Sequence, residues 1–207
     1  MKKTIITISR EFGSGGREIG KKLAEQLNVP FYDKELIEIA AKESGLDKEL
    51  FEEEDSRTSK GFRLLGALGY SLGGPLSTIT ELSLNDRLFL VQSQVIEQVA
   101  KEGACVIVGR CADYALSDNP DCINIFIHAD LDVRIKNVSR NLNITENKAR
   151  DIINKTDKQR ASYYNYYTSK KWGDSKSYNL SLDAGKLGTD NCVEMIRKFR
   201  ELMDAMK

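Results

Sequence analysis

The chain has 207 residues, enough for one domain with its own hydrophobic core and too few for two of ordinary size. Basic and acidic residues balance at 31 each and the sequence pI is near 6.6, so no global field draws the protein to nucleic acid, and any affinity for anions has to be local. Hydrophobic residues at 41% with only 3 prolines exclude a disordered chain, and four cysteines without a CxxC pair beside a single histidine exclude a zinc cluster or a disulfide framework.

Thr4-Ile5-Ile6-Thr7-Ile8 is β-branched throughout and runs into a glycine cluster, which predicts a buried parallel strand. It is far below the length of a signal peptide, and no later run reaches the ~18 apolar residues of a membrane span. The reading is of a soluble, cytoplasmic protein. Ile19, Leu23 and Leu27 repeat at helical spacing, so 18–27 is a helix and the chain opens as a βα unit. After a short stretch at 29–32, Asp33 is a good N-cap for a helix over 34–42, and a further short helix is expected over 48–53.

Residues 55–80 change character, with many Ser, Thr and Gly and no sustained period, and read as a mobile insertion on the acceptor side of the molecule. A long amphipathic helix over 84–102, a strand over 104–108 closed by Gly109-Arg110, and a strand over 123–127 closed by His128 follow. The next helix runs through Arg140. Thr145 then opens a helix that reaches the Tyr163 to Tyr167 cluster, and 145–175 reads as a lid. A last strand over 178–182 and a last helix over 190–206 complete the chain, with no internal repeat. The expected fold is α/β, a three-layer α/β/α sandwich on a parallel five-stranded sheet, in a single domain over 1–207.

Gly13-Ser14-Gly15-Gly16 stands between a strand and a helix, where backbone N–H groups and the helix dipole together make an anion site. The usual phosphate loop reads GxxxxGK[ST]. Aligning Gly15 with its second glycine puts Arg10 at the first glycine, Gly16 at the lysine and Arg17 at the hydroxyl residue. The missing charge then has to come from Arg10 or Arg17, and the missing hydroxyl from Ser9 or Ser14. A tight turn and nothing more is the plainer alternative.

Five segments in order, Ile8 to Arg17, Phe31 to Ile37, Val106 to Arg110, Phe126 to Ala129 and Thr156 to Tyr164, resemble the bacterial cytidylate kinase-like family, a branch of the P-loop nucleoside monophosphate kinases. The resemblance spans nearly the whole chain. It implies a P-loop kinase fold, ATP as donor with Mg²⁺, no dedicated protein metal site, and CMP or a related nucleoside monophosphate as the small-molecule acceptor. It implies that Arg110 holds the acceptor phosphate and that Asp33 borders the acceptor. Arg160 becomes the lid arginine, catalytic together with Arg17, with Arg134 and Arg140 behind it. Arg10, Gly13, Ser14, Gly15, Gly16, Arg17 and Arg134 would face the donor nucleotide.

Two departures stand out: Cys111 replaces the Asp that follows Gly-Arg in cytidylate kinases, and the arginine they carry after Asp33 has no equivalent. The plainer readings are an N-cap for Asp33, solvated helix residues for Arg134, Arg140 and Arg160, and a packed imidazole for His128. Tyr163, Tyr164, Tyr166 and Tyr167 with Trp172 either stack a base or pack the lid. Partners beyond the small molecule are a nucleic acid or a membrane in neither case, and the protein is expected to be a monomer or a weak homodimer. Alternatives to the kinase reading are a phosphate- or nucleotide-binding protein with little turnover, and a kinase of a non-nucleotide acceptor.

Overall fold

The computed structural model describes residues 4–45 and 83–206. A strand that is β-branched on both faces needs apolar cover on both, and β1 (Ile5–Arg10) has it, because it lies at the centre of a five-stranded sheet. The strand order is β2-β3-β1-β4-β5, with β2 (Phe31–Tyr32), β3 (Cys105–Val108), β4 (Cys122–His128) and β5 (Leu180–Asp183), and every pair is parallel. Ile8 sits opposite Val108 on one side and Ile125 on the other.

Side-chain alternation then divides the core. Ile5, Cys105 and Ile107 face α2 (Glu35–Ser44) and α3 (Leu84–Glu102), packing with Leu36, Val95 and Ile96. Ile6, Ile8, Val106, Val108 and Ile127 face α1 (Gly16–Leu27) and α7 (Ala184–Ala205), with Ile19, Leu23 and Ile196. Helices on both faces of a parallel sheet make the three layers expected. Between them in sequence come the four-residue α4 (Ala112–Ala115), α5 (Leu131–Leu142) and α6 (Glu146–Thr168). The last two pack on each other through Val138, Ala149 and Ile153, with Phe12 of the loop after β1 against them.

Several boundaries differ from the sequence reading. β1 continues to Arg10 because Ser9 and Arg10 pair with Phe126 and Ile127, a tertiary ladder that no local pattern reveals. α7 begins six residues early: the Asp183 carboxylate accepts from the N–H groups of Gly185 and Lys186, and Gly188 at φ 74 kinks the helix, so the expected 190–206 segment is the part beyond the kink. Asp33 is not the cap of α2; Lys34 occupies that position, without a side-chain cap bond. Thr145 does cap α6, accepting from Lys148 N–H. The expected helix over 48–53 and the insertion over 55–80 lie outside the described residues. Among the described residues no helix is long and apolar enough to cross a membrane.

Candidate active site

The site lies at the carboxyl ends of β1 and β3, where open parallel sheets bind their ligands. Residues 11–15 join β1 to α1. Gly15, the N-cap of α1, has φ 86, and no side chain caps the first turn, so its amides are left for an anion. Gly13 has φ +81, and a Cβ there would meet Val138 Cγ2 at 2.7 Å, so α5 packs directly on the loop. Ser14 is buried and its Oγ donates to the Glu11 carbonyl at 2.9 Å, a bond that closes the loop on itself.

Asp33 is the carboxylate on which the cations gather. It is 5% exposed; Arg17 Nε donates to its Oδ2 at 2.6 Å, and an Arg10 Nη lies 3.8 Å from Oδ1. Arg17 is 58% exposed along its side chain and lies over the Phe31 ring, whereas Arg10 is tucked in at 17%. Arg160, from α6, donates to the Arg10 carbonyl at 3.2 Å and stacks over Phe12 at 5.5 Å. Arg10, Arg110 and Arg160 line one cleft together with Ser9, Gln159, Tyr163, Tyr164 and Trp172.

Arg110 sits in a turn of unusual backbone. Gly109, Arg110 and Cys111 have φ of 79, 59 and 51, three successive residues in the left-handed region. For the two that carry a Cβ this conformation is costly and is held by what surrounds it: Gly109 N–H donates to the Ile8 carbonyl, and Ala112 N–H to that of Gly109. The turn sets Arg110 half-buried in the cleft and Cys111 into a cluster with Phe89, Tyr163, Tyr164, Tyr167 and Trp172. Phe89 and Tyr167 stack with centroids 4.1 Å apart at 7°. Tyr166, 72% exposed, meets this packing edge-on, its ring centroid 4.9 Å from that of Tyr167.

Arg134 is placed differently from the other expected residues. It is buried, and its Nε donates to the Ala129 carbonyl at 3.0 Å with Glu11 Oε2 at 3.3 Å. Its Nη1 donates to Asp157 Oδ2 at 2.5 Å and reaches the Phe12 carbonyl. Asp157 in turn accepts from the Phe12 N–H at 2.8 Å. Arg134 is thus a clamp between α5, α6 and the loop, with this part of its fork turned to protein oxygens. Arg140 is farther out, where it donates to Asn137. His128 ends β4 with its ring against Phe126, in keeping with a packed imidazole.

Sequence reasoning missed Asp113. It is 2% exposed on α4; Tyr164 Oη donates to its Oδ2 at 2.7 Å, and its Oδ1 has no hydrogen-bond partner among the described residues. Burial raises its pKa above the ordinary Asp value, and the Tyr164 bond only partly opposes that. Burial likewise pushes Tyr178 up to about 12, and Tyr164 up as well. Asp113 lies 51 residues from Tyr164, and no local pattern joins them.

Comparison with known proteins follows the same lines. A solved structure of an uncharacterized protein from Eubacterium ventriosum is 32% identical, with 96% of this chain and 98% of that chain covered, at a TM-score of 0.71. Shikimate kinase from Bacteroides thetaiotaomicron superposes at 0.54 with 14% identity, covering 96% of this chain and 98% of its own. A gluconokinase from Sinorhizobium meliloti superposes at 0.52 with 12% identity, covering 99% and 98%. At that identity the last two share the fold and nothing finer. No curated protein matches the chain. The cytidylate kinase-like family model matches residues 5–186, across the phosphate loop, the Gly109 turn and α6, and to that family of P-loop kinases this chain belongs.

Proposed function

We propose that the protein transfers the terminal phosphoryl group of ATP to a small phosphorylated acceptor, CMP or a related nucleoside monophosphate. The observation that carries this reading is the one cleft in which Arg10, Arg110 and Arg160 converge, with aromatic rings of Tyr163, Tyr164 and Trp172 in its lining. Phosphate groups need planar, multidentate cations, and a base needs a ring to lie on.

ATP with Mg²⁺ would supply the phosphoryl group and neutralise charge on its oxygens. The loop fits a polyphosphate: nothing lies within 4 Å of the place where a Gly15 Cβ would be, and the first amides of α1 are uncapped. Among the described residues no three metal-ligating side chains come together, so the ion would be carried mainly by phosphate oxygens and water, with Ser9 offering a hydroxyl from the cleft lining. Arg17 and Arg160 would meet the charge that spreads over the phosphoryl oxygens, and Arg110 would fix the acceptor phosphate. Asp33 orients Arg10 and Arg17 and borders the acceptor. Arg134 acts at one remove, by tying α6 to the loop. The stretch 145–175 would serve as the lid that excludes water.

The test is ADP formation from MgATP with each common nucleoside monophosphate, using Arg110→Ala as the control against a contaminating kinase. Turnover with CMP that falls at least a hundredfold in the variant, on the order of 3 kcal/mol of transition-state binding, is expected. Silence with every monophosphate removes the reading. A binding protein with little turnover is favoured by one observation, the absence of space for a lysine at Gly16; it predicts nucleotide binding without ADP. Cys111, standing where cytidylate kinases carry an acid, is why every common nucleoside monophosphate is tried and not CMP alone.

A further inference from the structure

Two departures from the common phosphate loop, an arginine at its first glycine position and a glycine at its lysine position, are one change seen twice. A Cβ on Gly16 would lie 2.6 Å from Arg10 Cβ, 3.0 Å from its Cγ and 3.2 Å from Ile127 Cβ. These atoms belong to the paired strands β1 and β4 and cannot swing aside. The backbone does not ask for glycine here, since Gly16 is the first residue of α1 and is not among the positive-φ positions. The Arg10 stem, with Ile127 Cβ beside it, keeps it small. Farther out, a Cβ on Gly109 would meet Arg10 Nη1 at 2.1 Å, so the guanidinium lies directly over the turn after β3 and ends beside Asp33.

We propose that Arg10 and Gly16 are a transposed pair: the cation that grips the donor's terminal phosphates comes from the end of β1 and not from the first turn of α1. The Arg10 stem fills the space that a lysine at 16 would need, and its charge arrives between the loop and Arg110. The consequence for ligand chemistry is a fork in place of a point charge, able to take two phosphate oxygens at once, while Asp33 holds it in place until they arrive. The proposal takes from the kinase reading only the identity of the anion, a polyphosphate.

The experiment is a double-mutant cycle over Arg10→Gly, Gly16→Lys and the pair together, with Gly16→Ala added as the smallest steric probe. Thermal unfolding and calorimetric titration with inorganic tripolyphosphate and with MgATP are read for each. Gly16→Ala should lower Tm by about 5 °C or more, as overpacking does. Arg10→Gly should weaken tripolyphosphate at least tenfold. The double variant should regain both the stability lost in Gly16→Lys and part of the anion binding, and rescue of soluble protein counts if Gly16→Lys alone does not fold. Gly16→Ala as stable as the parent, Arg10→Gly binding tripolyphosphate as the parent does, or a double variant no better than Gly16→Lys would each overturn the transposition. A parent that binds tripolyphosphate through Arg10 but never ATP leaves the transposition standing and removes the kinase reading; a parent that binds neither removes both.

Discussion

Asp113 shows how one buried group can dominate the response to pH. The Tyr164 hydroxyl, the charge of Lys170 and the backbone N–H groups beside it favour the ionised carboxyl, but burial outweighs them and favours the protonated form. A carboxyl whose folded pKa lies above its unfolded 3.8 binds more protons folded than unfolded between those values. The stability it contributes is therefore fully present below the unfolded value and is lost as pH rises through the folded one. The expected outcome is that Asp113→Asn, which keeps an acceptor for Tyr164, gains stability relative to the parent on going from about pH 4 to pH 7 in thermal melts. Parallel curves for the two proteins would refute this. The same residue marks the limit of what sequence shows. Arg10 and Arg17 could be named from the spacing of the phosphate loop, and Asp33 and Arg110 from the resemblance to cytidylate kinase-like proteins. Asp113, Glu11 and Asp157 owe their placement to partners far away in the chain, 51 residues from Asp113 to Tyr164 and 145 from Phe12 to Asp157.

At the scale of elements, α6 is held to the phosphate loop by Asp157. Its carboxylate receives both the Phe12 N–H and the Arg134 guanidinium, and both side chains are largely buried, at 17% and 10% exposure. Removing it leaves the Phe12 N–H without its acceptor and takes from the buried Arg134 one of its two carboxylates, Glu11 Oε2 staying at 3.3 Å, a loss of about 2 kcal/mol. Asp157→Ala should lower stability by about that much, and hydrogen exchange at the Phe12 amide should quicken more than at Ile8 or Ile125; a uniform change across the three would mean general loosening only. Element types were legible because β-branched runs and helical apolar spacing are local properties. Their ends were not. β1 gained Ser9 and Arg10 from pairing with β4, and α7 gained a first turn from the Asp183 cap ahead of the Gly188 kink. The four-residue α4 has too few residues to show a period at all.

For the molecule as a whole, the proposed site is shared by β1, β3, α1 and α6, so a ligand there binds only the assembled fold. With MgATP at about a hundred times its Kd, the native state should gain about 2.7 kcal/mol, a rise in Tm of roughly 5 to 10 °C. Arg110→Ala should reduce a shift given by a monophosphate more than one given by ATP, and equal reductions would argue against separate donor and acceptor ends. The sheet order β2-β3-β1-β4-β5 has a further consequence, for the chain as it leaves the ribosome. Of the five strands of the sheet, the earliest in sequence is the central one, and its two neighbours, beginning to pair at Cys105 and Cys122, are about a hundred residues away. Until those neighbours emerge, Ile5 to Arg10 therefore stands with both edges unpaired, an apolar strand in want of partners. A translational pause that comes once β4 has cleared the ribosome would give it both at once; one that comes before β3 has cleared it would hold the strand open to a chaperone or to another nascent chain.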